Sequence, residues 1–418
     1  MNAMDRIDHS PAGWRDTMGA IPHLPLVLAS VAAHMMLFGM LTPVMAVYAQ
    51  GFGAPDWQIG LMITVFAAGR LAADIPAGHL AHKSGLRPLL GVGLLLCSVG
   101  AFMAALAPSY VVALVGRTMQ GIGSGLFMTA TMIFVAQRSN ARSRGKVMSL
   151  YQGAVLVGGA FGPSVGGLAA SVFGLSGPFY VAAVIGLASG ALPLLLFNEQ
   201  QHPTDEDHAH PAGALPLLLI LPFACALLAN FAFFLTRTAG QWQLIPLLAT
   251  AEFSVDPGSL GAAMSLSALA NLVSLPLAAW LVDRVSRPAL ISVSLLTTAL
   301  ALVAITVAAT PTTLYAGMIA IGLAVGIGGP AIGAYAIDVT PRGQHGPAMG
   351  TLRFAGDLGY LVGPLAIGAI VDLRGIGYAG GLWINAVLLV ACAAVFVLVR
   401  RRLRPLPFPF ATKENDHD

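Results

Sequence analysis

Twelve apolar runs, each long enough to cross roughly 30 Å of hydrocarbon, divide this sequence into two sets of six. They fall near 24–49, 57–80, 88–107, 109–136, 147–173 and 178–197 and, after a polar gap, near 215–247, 258–282, 288–309, 312–337, 350–371 and 378–400. No single water-soluble core accommodates them: 57% of the 418 residues are hydrophobic and 9% charged, against about 25% charged in a soluble domain. Inside a bilayer no water satisfies the backbone, so each run must close its own hydrogen bonds as a helix. The expected fold class is an all-α membrane protein, with 12 transmembrane helices in two six-helix bundles. The 48 Gly and 27 Pro agree with this, because neighbouring membrane helices satisfy the backbone groups that such residues free.

Lys and Arg orient the spans. With the N-terminus in the cytoplasm, about 16 of the 21 fall in cytoplasmic segments: Arg6, Arg15, Lys83, Arg87, Arg138, Arg142, Arg144, Lys146, Arg284, Arg287, Arg342, Arg400, Arg401, Arg402, Arg404 and Lys413. Arg374 falls outside, and four lie within spans. The positive-inside rule gives this split for an even helix count with both termini inside. An odd count would put the basic loops of the second half on the wrong side. The polar segment before Leu24 lacks the basic region, short apolar core and cleavage site of a signal peptide. The first span therefore reads as an uncleaved insertion signal. The expected location is the plasma membrane, in a bacterium the inner membrane. A net charge of +3 is too small to call for a nucleic-acid partner. Cys97, Cys225 and Cys392 stand singly in apolar runs and read as packing residues rather than disulfides or metal ligands. Neither a metal nor another cofactor is expected.

The halves echo each other. Lys83 after span 2 matches Arg284 after span 8, and Gly162-Pro163 in span 5 matches Gly363-Pro364 in span 11, both at an offset near 201. Asp56 and Asp256 precede spans 2 and 8. Two such repeats, with a site between them near the midplane, are a transporter architecture. The expected domains are 1–197, an N-terminal bundle; 198–214, a cytoplasmic linker; and 215–418, a C-terminal bundle with a short cytoplasmic tail. The linker holds Glu199, Asp205, Glu206 and Asp207 with His202, His208 and His210. A solvated linker is the default for such a segment, and metal sensing is the alternative.

Four stretches carry a family resemblance across nearly the whole chain. Gly78-His79-Leu80-Ala81-His82-Lys83-Ser84-Gly85-Leu86-Arg87-Pro88, between spans 2 and 3, resembles the G-x-L-a-D-r-x-G-r-r signature of the major facilitator superfamily. Arg117-Thr118-Met119-Gln120-Gly121-Ile122-Gly123 in span 4 is similar to its R-x-x-q-G-x-g element. Gly158-Gly159-Ala160-Phe161-Gly162-Pro163-Ser164-Val165-Gly166-Gly167 in span 5 resembles the G-x-x-x-G-P-x-x-G-G motif of its drug:proton antiporter branch. Leu281-Val282-Asp283-Arg284-Val285-Ser286-Arg287-Pro288 repeats the loop in degenerate form. The resemblance implies gating roles for Gly78, His82, Lys83, Gly85, Arg87, Asp283 and Arg284. His82 stands where the family carries an acid. Either the latch leans on Asp283 or varies with pH, or His82 is a tolerated loop variant. The resemblance also implies that Gly158, Gly162, Pro163, Gly166 and Gly167 form a contact sealing the cavity against proton leak. A ridge used only for packing is the alternative.

An ionisable side chain in hydrocarbon costs at least about 2.5–3.5 kcal/mol on insertion scales, so each is a functional candidate. They are His34 (span 1), Arg70 and Asp74 (span 2), Arg117 (span 4), Arg237 (span 7), and Arg353 and Asp357 (span 11). Gln120, Ser124, Asn230, Asn271, Tyr335 and Tyr360 are polar companions. Arg70/Asp74 and Arg353/Asp357 each share a helix face, with the base first, the poorer order for a local bridge. Cross-helix partners are therefore expected; a static packing pair is the alternative. Asp357 sits about 200° and 240° from Gly359 and Gly363 on a helical wheel. If those glycines pack, the carboxylate points elsewhere, and one facing a poorly solvated cavity can load and release protons near neutral pH. Arg117, Gln120, Ser124 and Thr131 make one stripe. The resemblance implies that Arg117 lines the cavity; being fixed in charge, it serves as counter-ion rather than carrier. Arg237 lies deep in span 7 if the repeat offset holds, and otherwise near the outer surface. His34 is either a proton or substrate group or a hydrogen-bonded packing residue, and Gly39 and Pro43 bend the helix beyond it.

The function expected from the resemblance is proton-coupled efflux of a small organic molecule by a monomer. Uptake by symport or facilitated diffusion is the alternative, and a non-transporting receptor a third class. The sequence has no G-x-x-x-x-G-K, G-x-S-x-G or H-E-x-x-H motif, so an enzyme is not expected.

Overall fold

The structure is a computed structural model, and it describes residues 21–139, 144–197, 215–218, 220–341 and 344–402. The expectations placed on the 198–214 linker, the first twenty residues and the C-terminal tail lie outside these residues, as does the side chain of His82. Among the described residues every regular element is helical. The first six spans are Leu24–Leu41 continued by Met45–Gln50, then Asp56–Ser84, Leu86–Ala105, Tyr110–Arg138, Arg144–Phe173 and Gly177–Leu196. The second six are Leu221–Phe253, Pro257–Val282, Arg287–Thr306, Pro311–Asp338, His345–Arg374 and Gly377–Arg402. Among the described residues eleven are long and apolar enough to cross a membrane. The other, Asp56–Ser84, is 29 residues long and carries Arg70 and Asp74 within it. The outer faces are apolar too: Leu168, Val184, Leu195 and Leu300 are exposed, as lipid rather than water requires.

Three boundaries differ from the sequence reading, each for a local reason. Span 1 breaks after Leu41 and resumes at Met45, where Pro43 supplies no N–H and the Thr42 hydroxyl donates to the Gly39 carbonyl (2.7 Å). Span 7 starts at Leu221, because Pro222 stands in its first turn and Leu215–Leu218 is a separate short helix. The stretch Gly78–Ser84 is not a loop but the last turns of span 2, and Gly85 alone makes the turn into span 3. Its φ of 81° suits a residue without Cβ.

The repeat runs through the architecture. Helices starting at Leu86, Tyr110 and Arg144 have counterparts 201 residues later at Arg287, Pro311 and His345. The chain forms two compact units, Met1–Asp207 with Ala249–Ala268, and His208–Leu248 with Leu269–Asp418. In the first, span 1 packs on span 5, span 2 on span 4, and span 3 on spans 4 and 6. In the second, span 7 packs on span 11, and span 9 on spans 10 and 12. Small residues set the closest approaches. A methyl group on Gly125 would stand 2.6 Å from the Arg70 carbonyl, and one on Gly326, 201 residues later, 2.5 Å from that of Asn271. The start of span 8 joins the first unit because Gly261 lies against Gly167, and the Ser164 N–H donates to Ser265 Oγ (2.9 Å).

Candidate transport site

In the first unit, span 4 carries the polar stripe. Arg117, Gln120, Ser124 and Thr131 recur on one helical face and are all buried. Arg117 donates to Gln120 Oε1 and lies over the Phe66 ring at 4.7 Å. His34 from span 1 meets Ser124 through Nε2 (2.9 Å) and packs its ring 5.0 Å from Phe127. His34 Nδ1 and Gln120 Nε2 are buried without a partner among the described residues, a costly state that a water or a ligand relieves. Beside them lies a small, partly open pocket lined by Leu37, Phe38, Leu41, Phe66, Cys97, Ala101, Arg117, Gln120 and Ala182. Four of the sequence candidates thus form one cluster. Asp74 stands apart from it. Its carboxylate accepts from the Thr129 hydroxyl of span 4 (3.1 Å), so its hydrogen bond crosses to another helix. Arg70, half-buried, contributes its backbone carbonyl to the contact with Gly125.

In the second unit, Arg353 and Asp357 do form a local pair, loose at 3.9 Å, with side chains 52% and 26% exposed. The i,i+4 spacing brings the two groups within reach despite the unfavourable order. The glycine face of span 11 packs as anticipated, Gly359 on the Phe231 carbonyl and Gly363 on Leu235. Asn230 donates to the Leu352 carbonyl (2.7 Å). Asn271 turns its carbonyl to Ser274 (2.7 Å), and Tyr335 stacks near Phe396 (5.7 Å).

Span 7 holds what the sequence did not reveal. Thr236–Leu244 is a π-helix inside an otherwise α-helical span, a rare element frequent at functional sites. Thr236 Oγ1 ties it to Asn385 Oδ1 of span 12 (2.8 Å). Arg237, midway along the span, is exposed and lies over the Trp242 ring at 5.2 Å. Trp242 in turn meets Tyr360 edge-on at 5.4 Å. Asn385 and Trp242 were missed. A lone Asn in the apolar run of span 12 was the available signal; nothing in the sequence marked the π turn.

The sequence profile of the Major Facilitator Superfamily matches residues 27–242 and 226–415. The chain belongs to the Major Facilitator Superfamily. An uncharacterized MFS-type transporter of Methanocaldococcus jannaschii is 22% identical over 347 residues, 82% of this chain and 89% of that protein. Multidrug resistance protein MdtL of Klebsiella pneumoniae is 28% identical over 229 residues, 54% of this chain and 57% of its own length. Quinolone resistance protein NorA of Staphylococcus aureus is 27% identical over 166 residues, 40% of this chain and 42% of its own. The chain thus matches about half the length of these two resistance proteins. Among solved structures, a bacterial homologue of the human lysosomal transporter Spinster, inward-facing and occupied, superposes with a TM-score of 0.74 at 17% identity, covering 91% of this chain and 97% of that one. The nucleoside transporter NupG gives 0.74 at 14% identity, covering 90% and 99%. At such identities these two establish the fold. The chain is a multi-pass, secondary-active transporter of a small molecule.

Gly158, Gly162 and Gly166 press span 5 onto span 1, against the carbonyls of Ala32, Met36 and Met40. Pro163 and Gly167 lie one residue along and meet Gly261, Pro163 through its carbonyl. Arg87 donates to the Leu194 carbonyl of span 6, from Nε at 3.0 Å and from Nη2. Lys83 and Asp283 are exposed, and Arg284 stacks on Trp280 at 4.3 Å. A bridge the sequence reading did not foresee joins Arg287, at the start of span 9, to Asp338 at the end of span 10.

Proposed function

We propose that this transporter exports a small organic molecule in exchange for protons, by alternating access. The observation that carries the coupling is the state of the two carboxylates within the spans. Asp74 is held by a hydroxyl at 3.1 Å and Asp357 faces its arginine at 3.9 Å, both longer than the roughly 2.7–2.9 Å of a strong charge-assisted bond. In this reading these two groups carry the proton. Protonation of either removes its charge, releases its partner and lets the rearrangement proceed. Arg117, permanently charged, is the counter-ion of this reading.

The direction rests on the glycine ridge. Spans 1 and 5 meet backbone to backbone along Gly158, Gly162 and Gly166, a contact too tight to admit water and so suited to exchange rather than passive flow. The names of two relatives, a multidrug and a quinolone resistance protein, point the same way. In this reading both termini are cytoplasmic, the bundles are 1–197 and 215–418, and the membrane is the bacterial inner membrane.

The test is flux in proteoliposomes with an imposed pH gradient, over a chemically broad panel of compounds. An exporter moves compound against the direction of proton flow, and collapsing the gradient in cells raises its internal level. Movement of compound and protons together would instead establish uptake by symport, and gradient-independent flux facilitated diffusion.

A further inference from the structure

Arg237, midway along span 7, lies over an aromatic ring. In an α-helix, residues five apart stand about 140° apart around the axis, at 3.6 residues per turn. A π-helix bonds residue i to i+5, so residues 237 and 242 come one turn apart on one face. That is the arrangement found, with the guanidinium over the indole at 5.2 Å and Tyr360 edge-on to the indole beyond it. The π segment is held in place by Thr236, whose hydroxyl reaches both the Ala232 carbonyl and Asn385 Oδ1 at 2.8 Å.

What this setting lacks is an anion. Among the described residues no carboxylate and no carbonyl pairs with Arg237. Its side chain is exposed, while Thr236, Thr238, Ala239, Gly240 and Trp242 around it are buried. A guanidinium midway along a membrane span is costly unless water or a ligand meets it. The guanidinium lies over the Trp242 ring, and its N–H groups form the fork that takes two anionic oxygens at once. Trp242 and Tyr360 are themselves buried beside the exposed Arg237, and a ring carried by the ligand would be seated next to this aromatic pair.

We propose that Arg237, Trp242 and Tyr360 form a binding site for an aromatic organic anion, a ring bearing a carboxylate or sulfonate. This names the substrate class of the exporter proposed above and rests on that reading for its physiological role. The site lies within one unit and consists of side chains from spans 7 and 11.

The experiment measures equilibrium binding of naphthalene-2-sulfonate to the purified full chain in detergent, without any gradient. The probe is ionised at every working pH, so protonation does not confound it. Wild type should bind saturably, one per chain, and 2-naphthylmethylammonium, of similar size and opposite charge, should not compete. Arg237→Gln should weaken binding at least tenfold and Arg237→Lys by less. Arg374→Gln, which removes an exposed cation from the end of span 11, should leave it unchanged. Absence of saturable binding, equal competition by the cation, full affinity in Arg237→Gln, or the same loss in Arg374→Gln would each overturn the assignment. The cation comparison uses wild type alone, so the assignment can fail even if a variant does not fold. Binding without proton exchange would refute the coupled exporter and keep this site. Proton exchange against other compounds, with no anion binding, would do the reverse.

Discussion

The guanidinium carbon of Arg237 lies 5.2 Å from the centre of the Trp242 ring, five residues further along the same span. Both residues lie in Thr236–Leu244, which is wound as a π-helix. The indole then becomes the base of the site, and its removal should register in binding. Trp242→Ala is expected to weaken naphthalene-2-sulfonate binding roughly 2- to 30-fold, the range that a cation–π contact of about 0.5–2 kcal/mol supplies. Trp242→Phe should lose less, since a ring face remains. Titration of the two variants side by side checks the order.

The glycine ridge of span 5 contains its own control. A methyl on Gly162 would stand 2.7 Å from the Met36 carbonyl, and Gly166 is closer still to that of Met40, whereas Gly159 faces nothing within 4 Å. Gly162→Ala and Gly166→Ala should each destabilise by about 1–3 kcal/mol, the usual cost of overpacking, and Gly159→Ala should be neutral. Thermal unfolding in detergent gives the ranking. If the ridge also seals the cavity, proteoliposomes of Gly162→Ala should collapse a pH gradient faster in the absence of substrate.

The carboxylates make a kinetic prediction. Asp74→Asn keeps an acceptor for the Thr129 hydroxyl but cannot carry a proton. Substrate-for-substrate counterflow should persist in it while gradient-driven accumulation is lost. Asp357→Asn should behave likewise. If either variant still accumulates compound at the wild-type rate, that carboxylate is not the coupling group.

Asp256 supplies a pH dependence outside the membrane spans. Its carboxylate caps span 8, accepting from the N–H groups of Gly258 (2.9 Å) and Ser259 (3.1 Å). Hydrogen bonds from the Ser259 side chain and from these backbone groups hold its pKa below the ordinary value. A lowered folded-state pKa contributes stability above the unfolded-state value, and that contribution fades as pH falls through the folded one. Wild type should therefore unfold at a higher temperature than Asp256→Ala at neutral pH, and the gap should narrow below about pH 4. An unchanged gap down to pH 3 would show that the charge is irrelevant to the cap.

Much of the architecture was legible because it follows from solvent. Helix number and the 201-residue repeat come from apolar length and the placement of Gly and Pro, and these survive intact in helices such as Arg144–Phe173 and His345–Arg374. The polar stripe of span 4 was readable because helical periodicity alone puts Arg117, Gln120 and Ser124 on one face. Their partners were not. Ser124 bonds to His34 across 90 residues of chain, and no local rule selects that residue over the other polar groups of the first unit. The loop after span 2 misled because a motif identifies residues, not backbone: Gly78–Ser84 are helical, and a single glycine makes the turn.

The sequence by itself determined that this chain lives in lipid, spans it with helices and repeats its plan, since these depend on transfer free energy and on backbone hydrogen bonding summed over many residues. The tertiary structure alone decided which polar groups meet. Asp74 found Thr129, Asp357 stayed with Arg353, and Arg237 came over Trp242. Such pairings turn on a single residue's worth of helical twist, and that is set by neighbouring helices, as Asn385 in span 12 holds Thr236 at the head of the π turn.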